Sequence, residues 1–127
     1  MEEKRIAYRG EKFTLEWFFN DQEKSEILEY FTKLSYDRKK KILHLFYVLG
    51  DEGKLFNEEK FRYEGDQIYA LKTSDDRFLC FFFDGAKIII TNAYVKKTKK
   101  IPPREKQRAL KAKAEYIKRR KDGSDNG

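Results

Sequence analysis

Histidine and cysteine occur once each in this chain of 127 residues, and proline twice. One histidine rules out paired-imidazole chemistry, and one thiol, Cys80, leaves no partner for an internal disulfide and suits a reducing compartment. No cysteine cluster, glycine-rich phosphate loop or serine-centred elbow is present, so the common metal, nucleotide and acyl-transfer signatures are missing. The longest apolar runs, Phe78–Phe83 and Lys87–Ile90, fall far short of the roughly 20 residues that span a bilayer. The N-terminus has no apolar stretch followed by small residues, which predicts a cytoplasmic chain with no membrane association.

What the chain has in quantity is charge and aromatic side chains. Eleven Phe and eight Tyr are sufficient to close one hydrophobic core, so a single domain over 1–121 is expected, with a polar tail over 122–127. The net charge of +7 is unevenly spread. From Lys96 to Lys121 thirteen Lys or Arg stand against Glu105 and Glu115, a balance of +11 that leaves −4 for the remainder. Such segregation points to a polyanion met by the C-terminal third; the alternative is a solvated helix face.

Hydrophobic periodicity outlines the elements. Alternation over residues 12–19 predicts a strand. Asn20 followed by Glu23 resembles a capping box, opening a helix over about 21–34 with Ile27, Leu28, Phe31 and Leu34 at helical spacing. Ser35 can cap a second helix whose stripe Ile42, Leu45, Phe46 and Leu49 ends near Gly50, and the two helices would form a hairpin. His44 falls away from that stripe, at the surface. The charged segment Gly53–Gly65 has no clear assignment.

Three strands follow, Gln67–Thr73, Arg77–Phe83 and Ala86–Val95, the last two joined by the turn residues Asp84-Gly85. Pro102 and Pro103 end the sheet and open a helix over about 104–120. Its apolar rows are Leu110, Ala114, Ile117 and Ala109, Ala112, Tyr116. The expected fold is α+β: a small antiparallel sheet of about four strands, an N-terminal helical hairpin and a C-terminal helix.

A two-residue turn pairs Phe83 with Ala86, Phe81 with Ile88, Leu79 with Ile90 and Arg77 with Asn92, placing Arg77, Asn92 and Tyr94 on one sheet face. That face lies just before Lys96-Lys97-Thr98-Lys99-Lys100. Lys72 joins it only if the loop before Arg77 holds an even number of residues; a three-residue loop, Ser74 to Asp76, turns it away. Cys80 reads as a core thiol, and Asp75-Asp76 as a solvated turn rather than a cation site.

Cations and phenols suffice for RNA cleavage without a metal or cofactor. Clustered Lys and Arg stabilise the charged phosphorane, an effect of about 3 to 4 kcal/mol for one well-placed donor. A lysine crowded by like charges can act as base, with Tyr94 or Arg77 assisting proton transfer.

The order of Gln67-Ile68-Tyr69-Ala70-Leu71-Lys72, Arg77-Phe78-Leu79-Cys80-Phe81 and Asn92-Ala93-Tyr94-Val95-Lys96-Lys97-Thr98-Lys99-Lys100-Ile101-Pro102 resembles the C-terminal half of phage-derived RelE/HigB-like toxins. The similarity covers about residues 61–120, and the segment from Lys-Lys-Thr to Pro is its most specific part. It implies a toxin of a type II toxin–antitoxin system that cleaves mRNA in the ribosomal A site and is neutralised by an antitoxin, often of the helix-turn-helix kind. Arg77 matches the family's strand arginine, and Lys96 and Lys97 its lysine pair. Lys72 stands where arginine is usual, and Ala70 replaces the usual acid.

The resulting candidates are Arg77, Lys72 and Tyr94 for catalysis, and Asn92, Lys96, Lys97, Lys99 and Lys100 for RNA contact. Two alternatives share the scaffold: a non-nucleolytic, ParE-like toxin that binds gyrase, and a basic nucleic-acid-binding accessory domain.

Overall fold

The computed structural model describes residues 2–54 and 57–123. Among these, the elements run α1 (Glu2–Arg5), β1 (Ile6–Arg9), β2 (Thr14–Trp17), α2 (Glu26–Thr32), α3 (Tyr36–Glu52), β3 (Phe61–Tyr63), β4 (Tyr69–Lys72), β5 (Asp76–Phe83), β6 (Lys87–Val95) and α4 (Pro103–Gly123). The sheet has six strands in the order β1-β2-β6-β5-β4-β3. It is mixed, because β2 runs parallel to β6 with Thr14 opposite Lys87 and Trp17 opposite Ile90.

This corrects the expectation of an antiparallel sheet of about four strands. The additional strands, β1 and β3, are four and three residues long and sit among charges, too short for a period-2 pattern to emerge. The parallel pairing has no local signal either, since 69 residues separate the end of β2 from the start of β6.

The sheet is the middle of three layers. Leu15, Trp17, Phe78, Cys80, Ile88 and Ile90 pack against Ile27 of α2 and Ile42, Leu45, Phe46 and Leu49 of α3. On the opposite side Ala70, Leu79, Phe81 and Ile89 pack against Ala109 and Tyr116 of α4. Strand β5 therefore buries both its faces, which is why Phe78–Phe83 reads as an unbroken apolar run. Of the two rows expected on α4, Ala109, Ala112 and Tyr116 are buried, whereas Ala114 is exposed. Cys80 is fully buried and His44 exposed.

The helix boundaries shift for identifiable reasons. Asn20 caps a turn, its Oδ1 accepting from the backbone N–H groups of Gln22 and Lys24 at 2.9 and 3.0 Å. Glu23 then adopts φ 62°, which breaks any helix through it, and α2 begins only after Ser25, whose Oγ accepts from Leu28 N–H at 3.1 Å. Ser35 does cap α3, accepting from Arg38 N–H, but the helix passes Gly50 and ends at the left-handed Gly53. Gly50 instead serves as an anchor, because its carbonyl accepts from Lys12 and Phe13 N–H at 2.8 and 2.9 Å and fastens the β1–β2 turn to α3.

Helix α4 runs two residues into the expected tail, and residues 124–127 lie outside the described residues. No helix among the described residues is long and apolar enough to cross a membrane.

Candidate nucleic-acid interface

The β5–β6 hairpin sets the geometry of the site. Phe83 lies opposite Lys87, so the loop is three residues, Asp84 to Ala86, with Asp84 and Gly85 both at positive φ. The register slips again between Leu79 and Cys80, leaving Thr91 unpaired in a bulge, and Arg77 ends opposite Tyr94. The expected pairing of Arg77 with Asn92 is thus corrected by two positions. Each one-residue slip inverts the faces and two restore them, so Arg77, Asn92 and Tyr94 do share one side.

Across the other neighbour, Lys72 lies opposite Arg77. The loop between them is Thr73 to Asp76, four residues, and Lys72 therefore joins the same face. Lys72, Arg77 and Tyr94 form one row across three strands on the side that α4 covers, where all three remain partly accessible.

Arg77 has no acidic partner among the described residues. Its Nη1 donates to the carbonyl oxygens of Thr73 at 2.6 Å and Asp76 at 3.0 Å, and its Nε and Nη2 have no acceptor among the described residues. Lys72 Nζ makes a long bond of 3.4 Å to the Glu58 carbonyl. The Tyr94 phenol is pushed up to about 12, first by burial and then by the charge of Glu64, with Arg77 acting in the opposite sense. Tyr94 is therefore a neutral proton donor at physiological pH.

Strand β6 ends beside this row. Lys96 N–H donates to the Asp75 carbonyl at 2.9 Å, tying the start of the lysine run to the loop that holds Arg77. Lys96, Lys97, Lys99 and Lys100 are all exposed, and none of their ammonium groups has a hydrogen-bond or ion-pair partner among the described residues.

Asn92 does not belong on an RNA surface. It is 4% exposed, its amide donates to the carbonyl and Oε1 of Glu105 at 3.1 Å each, and its Oδ1 accepts from the Thr91 hydroxyl at 2.6 Å. The side is as expected, but α4 closes over it, so Asn92 docks the helix.

Asp76 departs most from expectation. Far from being a solvated turn residue, it is 1% exposed, facing α2 and α3 while Arg77 next to it faces α4. Its Oδ1 accepts from Tyr30 Oη at 2.5 Å and Arg38 Nη2 at 2.5 Å, and its Oδ2 from Arg38 Nε at 3.0 Å. Burial, then the bond to Asp76, raises the Tyr30 phenol well above the usual tyrosine range. Alternation offered a signal: if the strand starts at residue 76, Asp76 falls in phase with Phe78 and Cys80.

Glu64 and Glu105, close enough to Tyr94 to act on it electrostatically, were also not singled out by sequence. No group of three or more His, Cys, Asp or Glu among the described residues is arranged to hold a metal ion.

A family model described as "Phage derived protein Gp49-like (DUF891)" matches residues 29–114, from α2 into α4, a span that includes the entire row and the lysine run. No curated protein matches the chain.

Proposed function

The chain belongs to the Gp49-like phage-derived family, and from that premise we propose that it is the toxin of a type II toxin–antitoxin system, a RelE/HigB-like endoribonuclease that cuts mRNA on the ribosome. The family is commonly one of RelE-like toxins, which supports the toxin reading. The observation that carries the nuclease reading is the row Lys72–Arg77–Tyr94, in which the arginine has no acidic partner among the described residues and stands beside four exposed lysines whose ammonium groups have none there either.

In this reading the free Nε–Nη2 edge of Arg77 receives the scissile phosphate, and its fork geometry suits two non-bridging oxygens at once. As the 2′-oxygen attacks, its proton passing to water, the negative charge that builds on the non-bridging oxygens is met by a fixed cation, with Lys72 adding a second. Tyr94, protonated at neutral pH, gives its proton to the departing 5′-oxygen or stacks on a base. Lys96, Lys97, Lys99 and Lys100 hold the flanking backbone and bring the protein to the ribosome. No cofactor is required. The partner that silences it is an antitoxin, expected to be of the helix-turn-helix kind, and both act in the cytoplasm.

The test is induction of the wild type and of Arg77→Ala in bacterial cells, followed by mapping of mRNA 5′ ends and assay of DNA supercoiling. Codon-phased cuts that fall by about 100-fold or more in the variant are expected, the loss typical of one removed transition-state donor. Supercoiling damage without cuts would instead identify a gyrase poison, and neither effect a non-toxic binding domain.

A further inference from the structure

The buried Asp76 cluster has no role in RNA cleavage as proposed, although the backbones of Asp76 and Arg77 are one bond apart. Asp76 anchors the loop Thr73–Asp76 from beneath. Its carboxylate takes three donors, one from α2 and two from α3. The loop is closed by Thr73, whose hydroxyl accepts from the N–H groups of Asp75 at 3.2 Å and Asp76 at 2.9 Å, and whose own N–H donates to the Asp76 carbonyl at 3.0 Å.

The two carbonyls that hold Arg77 Nη1 belong to the two ends of this loop. A guanidinium on a flexible stem has rotamer entropy to lose, and it serves a transition state best when that loss precedes substrate binding. Lys41, which bonds Ser74 and Asp75 at 2.9 and 3.1 Å, grips the same loop from α3 at its exposed side.

We propose that Arg38 and Tyr30 are positioning residues for Arg77: they clamp the Asp76 carboxylate from the helical side of the sheet, and the loop carbonyls so fixed orient the guanidinium on the other side. The clamp rests on the nuclease reading for its kinetic consequence, but not for its structural one. It reaches across the sheet through backbone, since neither residue has a hydrogen bond or ion pair to the row itself.

Two readouts test it on the full chain. In ribosome-dependent cleavage, Arg38→Ala lowers kcat by about 10- to 100-fold with KM within about twofold, as expected when a reacting group is misplaced rather than removed. In an Arg77→Lys background, where no fork remains to be oriented, the same change alters kcat by less than about twofold, a non-additivity that general destabilisation does not produce.

Independently of cleavage, nitrogen-15 spectra of the arginine side chains resolve the two Nη signals of Arg77 in the wild type and merge them in Arg38→Ala, as rotation about Cζ–Nε is freed. If Arg38→Ala does not fold, Tyr30→Phe removes a single hydroxyl and carries the same test with a smaller effect. The clamp is overturned if the Arg77 signals stay resolved in the variant, or if kcat falls equally in both backgrounds. Should no variant and not even the wild type cleave, the nuclease reading fails while the spectra still decide the clamp.

Discussion

Arg77 and Tyr94 face each other across β5 and β6, and their environments assign them different work. The guanidinium presents only N–H donors and no acceptor, which suits it to bind and stabilise an anion. The phenol, pushed up to about 12, stays protonated at neutral pH, the state the proposed donor role requires. Tyr94→Phe preserves the ring and removes the proton. It is expected to lower the cleavage rate about 10²-fold, the usual size of a general-acid contribution, while RNA affinity changes by less than about threefold because stacking survives. Single-turnover cleavage beside anisotropy measurements of binding checks both; an intact rate with intact affinity would make Tyr94 a stacking platform alone. The sign of the pH effect follows from the same shift. The folded state retains a proton that the unfolded chain releases above its ordinary value of 10, so the contribution of Tyr94 to stability is complete below pH 10 and fades as pH rises toward about 12.

Between elements the tightest constraint is the approach of Gly10 to Gly50, where the β1–β2 turn rests on α3. A Cβ on Gly10 would lie 2.3 Å from the Gly50 carbonyl carbon, backbone that has no room to retreat. Gly10→Ala is expected to destabilise by about 3 kcal/mol in urea unfolding, the upper range of overpacking. Gly85→Ala meets no atom within 4 Å and has only its φ of 69° to oppose it, a cost of about 1 kcal/mol. Equal costs at the two sites would mean that the turn is not seated on α3. This contact joins residues 40 positions apart, which is why periodicity could not foretell it. The α3 stripe, the Ser35 cap, the β5–β6 hairpin and the proline-led α4 were legible because each is written within a few residues. The start of α2 was misread because Asn20 can cap either a helix or a turn, and only the positive φ at Glu23 decides. The shared face of Arg77 and Tyr94 was read correctly through a wrong register, since the third turn residue and the Thr91 bulge cancel in parity. Asn92 was misplaced because nothing in the sequence says which part of the sheet face α4 will cover, although the helix begins only 11 residues later, and Asp76 because the Arg38 and Tyr30 that donate to it lie on other elements.

Over the whole molecule, the charge segregation seen in sequence is sharper than a count of cations suggests. Three of the nine cations of α4 are held by acids of the same chain: Lys106 pairs with Asp66 at 2.9 Å, Arg108 with Glu26 at 2.7 Å and Glu105 at 3.1 Å, and Arg119 with Glu115 at 3.4 Å. The lysines between Val95 and Ile101 have no such partners among the described residues and stand at the edge of the Lys72–Arg77–Tyr94 row. A paired cation must give up its acid before it can displace a counterion from a phosphate, so it contributes little to the salt dependence of binding. The two classes can be separated by experiment. For a single-stranded RNA oligonucleotide, log affinity falls with log salt by about 0.7 per phosphate neutralised. Replacing Lys96 and Lys97 by Gln is expected to flatten that slope by about 1.4, whereas replacing Lys106 and Arg108 by Gln moves it by less than about 0.3. Anisotropy titrations from low to moderate salt read both slopes directly. Equal flattening by the two pairs would mean that RNA runs along the outer face of α4, and the row at the sheet end would then lose its claim to be the place where the backbone is held.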